Sequence, residues 1–177
     1  MPDNVNGYDC DLTYSKGNYY KNGVVPMPKL KYDTYPQMDG VSPLEDAEKI
    51  ENDSLNSIVI DPPFLILAPQ WLRNSKVKAR FDSFDSMEDA TEANKYLLQL
   101  AWDKLKKKGV LVFKTMDIRA ENRNIWMSRL IQEWADEIGF SLIDIFILIA
   151  PSKILNRGMN QKVARKYHSY FFVFQKK

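Results

Sequence analysis

From residue 57 onward the hydrophobic pattern switches period several times, and this alternation most limits what the chain can fold into. Ser57-Ile58-Val59-Ile60 is a short β-branched run that stops at Asp61-Pro62-Pro63, as a buried strand ended by prolines does. From about Met87 to Lys107 the spacing is helical, with Tyr96, Leu97, Leu100, Ala101 and Leu105 as the apolar face. Lys106-Lys107-Lys108-Gly109 then supplies last-turn cations and a C-cap glycine. Val110 to Phe113 reads as a second buried strand. A second helix is expected from about Ala120 to Ile138, with Ile125, Trp126, Leu130, Trp134 and Ile138 as its stripe and Gly139 as its stop. Phe140 to Ala150 is a long apolar strand. A basic loop follows from Pro151 to about Tyr167, and Ser169 to Gln175 is a final strand. The order predicts an α/β domain: a mostly parallel sheet with helices on both faces and a C-terminal antiparallel hairpin.

The first 56 residues are less regular. Tyr8 to Thr13 and Lys29 to Tyr32 fit strands, the second ending at Asp33. Pro26, Pro28, Pro36 and Pro43 leave little room for a long helix. The 177 residues suit one domain, 1–177, with no room for a separate target-recognition domain. Such a length buries enough surface to fold without a disulfide or a metal. Cys10 is the only cysteine and His168 the only histidine, so no disulfide framework and no Cys/His metal cage is expected. One thiol fits a reducing cytoplasm. The N-terminus lacks a signal pattern, and the apolar run from Leu142 to Ala150 is too short to span a bilayer, so no membrane association is expected. A net charge of +2 does not by itself mark a nucleic-acid binder; any such surface must come from local clustering.

The strand end at Asp61 carries the sharpest chemistry. In a doubly wound sheet, ligands sit beyond the carboxyl ends of the strands. Prolines 62 and 63 stiffen the turn, lack N–H donors and leave their carbonyls able to accept. Asp61 and the Pro62 carbonyl could together take both hydrogens of an –NH₂ group, with Phe64 stacked on the ring that bears it. The same four residues also fit an ordinary Pro-Pro turn after a strand.

Asp61-Pro62-Pro63-Phe64 after a hydrophobic strand resembles motif IV of the amino-methyltransferases, which act on adenine or cytosine amino groups in nucleic acid. Other segments resemble that family in order. Asp11-Leu12-Thr13-Tyr14-Ser15-Lys16-Gly17-Asn18 is similar to the first-strand motif that holds the methionine part of the cofactor. Asp33 stands where the family's second strand ends in the acid that binds ribose hydroxyls. Gly109 to Lys114, then Asp117, is similar to the fifth strand and its exit. His168 to Lys176 resembles the final strand of phage- and restriction-type DNA methylases.

The resemblance implies a Rossmann-like class I fold and S-adenosyl-L-methionine as cofactor. It implies a catalytic turn of Asp61, Pro62, Pro63 and Phe64 and a cofactor set of Asp11, Thr13, Tyr14, Gly17 and Asp33. Asp46 is the candidate for reading the adenine ring, and it also fits a solvated acidic helix start. The chain departs from the pattern at Ser15, where the family usually has its first glycine, and in the short stretch from Gly17 to Lys31, where a first helix would stand.

An aromatic amine is a weak nucleophile because its lone pair is delocalised into the ring. Accepting its hydrogens at Asp61 and Pro62 would push the nitrogen towards a tetrahedral, more nucleophilic form. No covalent enzyme intermediate is then needed, and Cys10 reads as a small buried strand residue. Reaching a base inside a duplex would require flipping it out. Two basic loops could hold the phosphates: Arg73, Lys76, Lys78 and Arg80, interleaved with Trp71 and Phe81; and Lys153, Arg157, Lys162, Arg165 and Lys166. Solvated charged loops would look the same. The substrate expected on these grounds is adenine in DNA. The alternatives are the cytosine amino group, adenine in RNA, and a non-catalytic cofactor- or nucleic-acid-binding module.

Overall fold

The computed structural model describes residues 7–66, 83–120, 123–149 and 166–177. Eleven strands, two α-helices and one 3-10 helix follow one another along these segments. The strands are β1 (Cys10–Asp11), β2 (Leu30–Asp33), β3 (Ser42–Pro43), β4 (Leu55–Ile60), β5 (Leu65–Ile66), β6 (Ser83–Phe84), β7 (Leu105–Thr115), β8 (Ile118–Ala120), β9 (Arg123–Ile125), β10 (Phe140–Ile149) and β11 (His168–Lys176). The 3-10 helix is Leu44–Lys49, and the α-helices are α1 (Met87–Lys104) and α2 (Met127–Ile138).

Seven strands form one sheet in the order β10-β11-β7-β4-β1-β2-β3. The neighbours β3, β2, β1, β4 and β7 are parallel. β11 is antiparallel to both β7 and β10, which makes it the reversed strand of the set. The expected mostly parallel sheet with a C-terminal antiparallel hairpin is therefore present. β11 does not sit at the outside of that hairpin but slots between β10 and β7.

Facing residues of neighbouring strands share a side of the sheet. Ile58, Leu111 and Phe174 form one such row, and Ile60, Phe113 and Phe172 the next. These rows pack with Leu97, Leu98 and Ala101 of α1 and with Ile131, Trp134 and Ala135 of α2 in a single core. Leu44 and Ala47 of the 3-10 helix join the same core. The other side is different. Val59 packs there with Tyr14 and Tyr20, flanked by Tyr8, Tyr19, Val25 and Val112. Among the described residues, that side is covered by the loop between β1 and β2, not by the helix expected on each face.

Local signals start and stop the helices. Ser86 caps α1, its hydroxyl accepting from the Asp89 N–H at 3.0 Å, with Glu88 and Asp89 in the first turn. α1 ends at Lys104 and not near Lys107. Its buried ammonium donates at 2.8 Å to the carbonyls of Glu48 and Ile50 and to Asn52 Oδ1. The Lys106-Lys107-Lys108 run belongs to β7. Leu105 faces Leu55 and Val110 faces Ser57, so residues between them bulge out, with Lys108 at φ 65. Gly109 is thus no helix cap; a Cβ there would lie 2.8 Å from the Lys106 carbonyl oxygen. α2 begins at Met127, later than periodicity indicated, because β8 and β9 pair as a hairpin with buried Ile118 opposite buried Ile125. Gly139, at φ 122, ends α2 as expected.

Candidate functional site

The parallel strands bring their carboxyl ends to one edge. Asp11 closes β1, Asp33 closes β2, Asp61 follows β4 directly, and Lys114 and Thr115 close β7. Residues far apart in sequence meet there for a topological reason: ligands bind where parallel strands end.

Asp11 is almost fully buried. Its Oδ1 accepts from the Thr13 N–H at 2.8 Å and from the Thr13 hydroxyl at 3.3 Å. Its Oδ2 accepts from the Tyr20 hydroxyl at 2.7 Å. Burial raises the Asp11 carboxyl to about 6, against the pull of these donors in the other direction. Burial and the nearby Asp11 charge push the Tyr20 hydroxyl up, so it stays protonated and donates. Thr13 Oγ1 in turn accepts from the Asp61 N–H at 2.6 Å. One hydroxyl therefore ties the first-strand loop to the Asp-Pro-Pro-Phe turn.

Asp33 is 8% exposed and holds the same loop from the other side. Its Oδ2 accepts from the Ser15 N–H and its Oδ1 from the Tyr35 N–H, each at 2.8 Å. Ser15 lies at φ 50 and Gly17 at φ 62, so the loop takes two left-handed residues where the sequence supplies one glycine. Tyr14 seats its ring against Gly17, stacks on Tyr20 at 5.6 Å and donates its hydroxyl to Met27 Sδ at 3.2 Å. Lys31 lies 5.3 Å from the centre of the Tyr14 ring.

Asp61 is the part-buried centre of the edge, its side chain 29% exposed. Burial raises its carboxyl, and Lys114 works against that rise. Lys114 Nζ donates to Asp61 Oδ2 at 2.8 Å and lies over two aromatic rings, 5.2 Å from the centre of Phe64 and 5.7 Å from that of Phe171. Sequence reading missed Lys114 as a site residue. Its only signal was its place at the end of an alternating strand, where Leu111 and Phe113 point to the core and Lys114 to the other side. Beneath the turn, Pro62, Pro63 and Phe64 line a small hollow with Asn94, Thr115 and Met127, with room for about one water.

Asp46 lies apart from this network, in the 3-10 helix, ion-paired with Lys49. Asp117 lies just beyond β7. Its Oδ1 accepts from the Ser128 N–H at 2.9 Å and so caps the start of α2, while its Oδ2 accepts from Tyr170. His168 Nε2 meets the Tyr170 hydroxyl at 2.8 Å. Cys10 is buried in the core, and burial pushes its thiol up, as befits a packing residue. Of the basic loops, Arg73, Lys76, Lys78, Arg80, Lys153, Arg157, Lys162 and Arg165 lie outside the described residues. Lys166 is described, with Nζ 4.0 Å from the centre of the Trp126 ring. No helix among the described residues is long and apolar enough to cross a membrane.

No family model and no curated protein matches the sequence. Solved structures do match its fold. PvuII DNA methyltransferase (cytosine-N4-specific) aligns over 74% of this chain and 45% of its own, at 17% identity and a TM-score of 0.52. A Thermus thermophilus protein assigned as a DNA modification methylase, complexed with S-adenosyl-L-methionine, aligns over 75% of this chain and 52% of its own, at 18% identity and 0.52. A SAM-dependent methyltransferase from Archaeoglobus fulgidus aligns over 94% and 85%, at 12% identity and 0.50. The chain spans about half the length of the two DNA-directed proteins. At these identities the likeness establishes the fold alone: a Rossmann-like α/β sheet that this chain shares with these proteins.

Proposed function

We propose that the protein transfers a methyl group from S-adenosyl-L-methionine to the exocyclic amino group of a nucleic-acid base, adenine in DNA being the expected target. The observation that carries this reading is Asp61-Pro62-Pro63-Phe64 standing at the carboxyl end of β4, joined through Thr13 to Asp11. The donor set fits the cofactor. A sulfonium nucleoside brings a fixed positive charge and sugar hydroxyls, and this edge offers buried Asp11, Asp33 and several aromatic faces. Asp33 would take the hydroxyls, while the loop from Thr13 to Gly17 would hold the amino-acid end.

The cofactor supplies an already activated methyl group. What remains for the chain is positioning and polarisation. Asp61 and the Pro62 carbonyl accept the two amine hydrogens and turn the nitrogen lone pair out of the ring. Phe64 fixes the ring plane. A nitrogen methylated by a bound sulfonium would become cationic as the sulfur leaves, and would give up its proton to Asp61 or to water. Asp61 must be ionised to act, and Lys114 favours that state. Residues Arg73 to Arg80 and Lys153 to Lys166 would hold the phosphates.

The non-catalytic reading also has an observation in its favour: Lys114 already donates to one of the two Asp61 carboxylate oxygens. One experiment separates the two. The protein and Asp61→Ala are incubated with labelled S-adenosylmethionine and DNA or RNA, and the product is digested to nucleosides. Label in N6-methyladenine with wild type alone supports the proposal, and label in N4-methylcytosine moves the target to cytosine. Cofactor binding without transfer supports the module. Absence of cofactor binding by calorimetry removes every methyltransferase reading.

A further inference from the structure

β10 stands at the end of the sheet, with β11 on its inner side and its outer backbone edge unpaired among the described residues. From Leu142 to Ile149 every residue but Asp144 is a large hydrophobe, and these are 38–72% exposed. Their combined exposed surface is on the order of 700 Å², taking about 150–200 Å² for a fully exposed large apolar residue. That exceeds the roughly 300–600 Å² of the largest apolar patch on a typical monomer. Ile145 to Ile149 carry roughly 500 Å² of it, against the ~800 Å² that each partner buries in a standard-sized complex.

The shape of the patch restricts what can cover it. Because side chains alternate along a strand, Ile145, Ile147 and Ile149 project to one side of the sheet and Phe146 and Leu148 to the other. A helix would cover one side and leave the strand's backbone groups unpaired. Another edge strand completes the hydrogen bonds and flanks the side chains on both sides. The patch carries a single charge, Asp144, so it holds no pattern that would select an unlike, charged partner. Asp144 also closes the start of the edge. The pairing with β11 is irregular between Leu142 and Asp144, and Asp144 Oδ1 accepts from the Ile145 N–H at 2.7 Å.

We infer that β10 is a homodimer interface, pairing antiparallel with β10 of a second copy about a two-fold axis near Ile147. In that register Ile145 faces Ile149, Phe146 faces Leu148 and Ile147 faces its own copy, with the Ile145 N–H exchanging its bond to Asp144 for one to the second copy. Every facing pair is apolar and lies on one side of the sheet, and Asp144 falls outside the paired stretch. The contact is isologous, so it closes at two subunits. Two seven-stranded sheets become one continuous sheet, whose two carboxyl-end edges face opposite ways. Each candidate site stays open to its own substrate. The inference does not depend on the methyltransferase reading.

Sedimentation equilibrium of the purified chain between about 1 and 100 μM tests it. The expected result is a particle of twice the 20.6 kDa chain mass, with Ile147→Lys at least tenfold weaker in association and unchanged in thermal unfolding of the monomer. Ile147→Cys is a second measurement. Paired residues that exchange backbone hydrogen bonds lie about 5.5 Å apart between Cα atoms, within disulfide reach. Mild oxidation should therefore link this variant, while buried Cys10 leaves the wild type unlinked. A wild type that stays monomeric at 100 μM overturns the inference. So does a dimer that persists in Ile147→Lys, or the failure of Ile147→Cys to cross-link.

Discussion

Gly17→Ala puts the cofactor-side loop under a load whose size follows from the geometry. At φ 62 an alanine costs about 1–2 kcal/mol for its left-handed backbone. Its Cβ would also lie 2.5 Å from the Tyr14 hydroxyl oxygen, 2.7 Å from Cζ and 3.0 Å from Cε1. The ring cannot swing away without loss, since it is stacked on Tyr20 and its hydroxyl is held by Met27. Overpacking of this kind costs about 1–3 kcal/mol. The expected loss is therefore about 2–5 kcal/mol of folding free energy, read from urea unfolding midpoints at constant slope. Because Tyr20 also holds Asp11, a displaced Tyr14 disturbs Asp11, and S-adenosylmethionine binding by calorimetry should weaken with it. Tyr14→Phe removes the closest of the three contacts and should restore about 1 kcal/mol in the double variant, a coupling that independent sites would not show. Ser15→Gly relieves a left-handed residue but frees the unfolded chain, so it should change stability by no more than about 1 kcal/mol, in the stabilising direction. If Gly17→Ala unfolds within about 0.5 kcal/mol of wild type, the seating of Tyr14 on Gly17 is wrong.

Lys114→Met should move the acidic limb of the methylation rate to higher pH. Burial already raises Asp61 and Lys114 opposes that rise, so removing the cation raises the carboxyl further and the ionised form is lost sooner as pH falls. Lys114→Arg should keep the wild-type limb, and an unmoved limb in Lys114→Met refutes the pairing. Asp11→Asn should flatten the pH dependence of stability. Asp11 titrates near 6 when folded, so the native state takes up its proton before the unfolded one does, and wild-type stability rises as pH falls from about 7 towards 4. The gap from an ordinary aspartate corresponds to roughly 3 kcal/mol. Thermal unfolding across that range checks it, and a slope unchanged in Asp11→Asn contradicts it.

Local features of the sequence determined a good part of this protein. A β-branched run halted by two prolines makes a strand end wherever it occurs. Gly139 stops a helix because a left-handed residue is cheap there, and the switch between periods 2 and 3.6 sets the order of strands and helices. Asp11, Asp33 and Asp61 could be placed at one edge in advance because a parallel sheet brings such strand ends together. Other features were decided only by partners distant in the chain. Lys106 to Lys108 have helix-forming side chains, yet Leu105 pairs with Leu55 and draws the segment into β7. The stretch from Ile118 to Ile125 has helical spacing, yet its two buried isoleucines face each other across a hairpin. Lys114 lies 53 residues from Asp61 in sequence and becomes its neighbour because β4 and β7 lie side by side in register. β10 reads as an interior strand by composition, but β11 takes the place beside β7 and leaves β10 at the edge. Propensity and turn chemistry act over a few residues and can be read along the chain. Which strand pairs with which depends on how the whole apolar surface is shared, and only the tertiary structure expresses that balance.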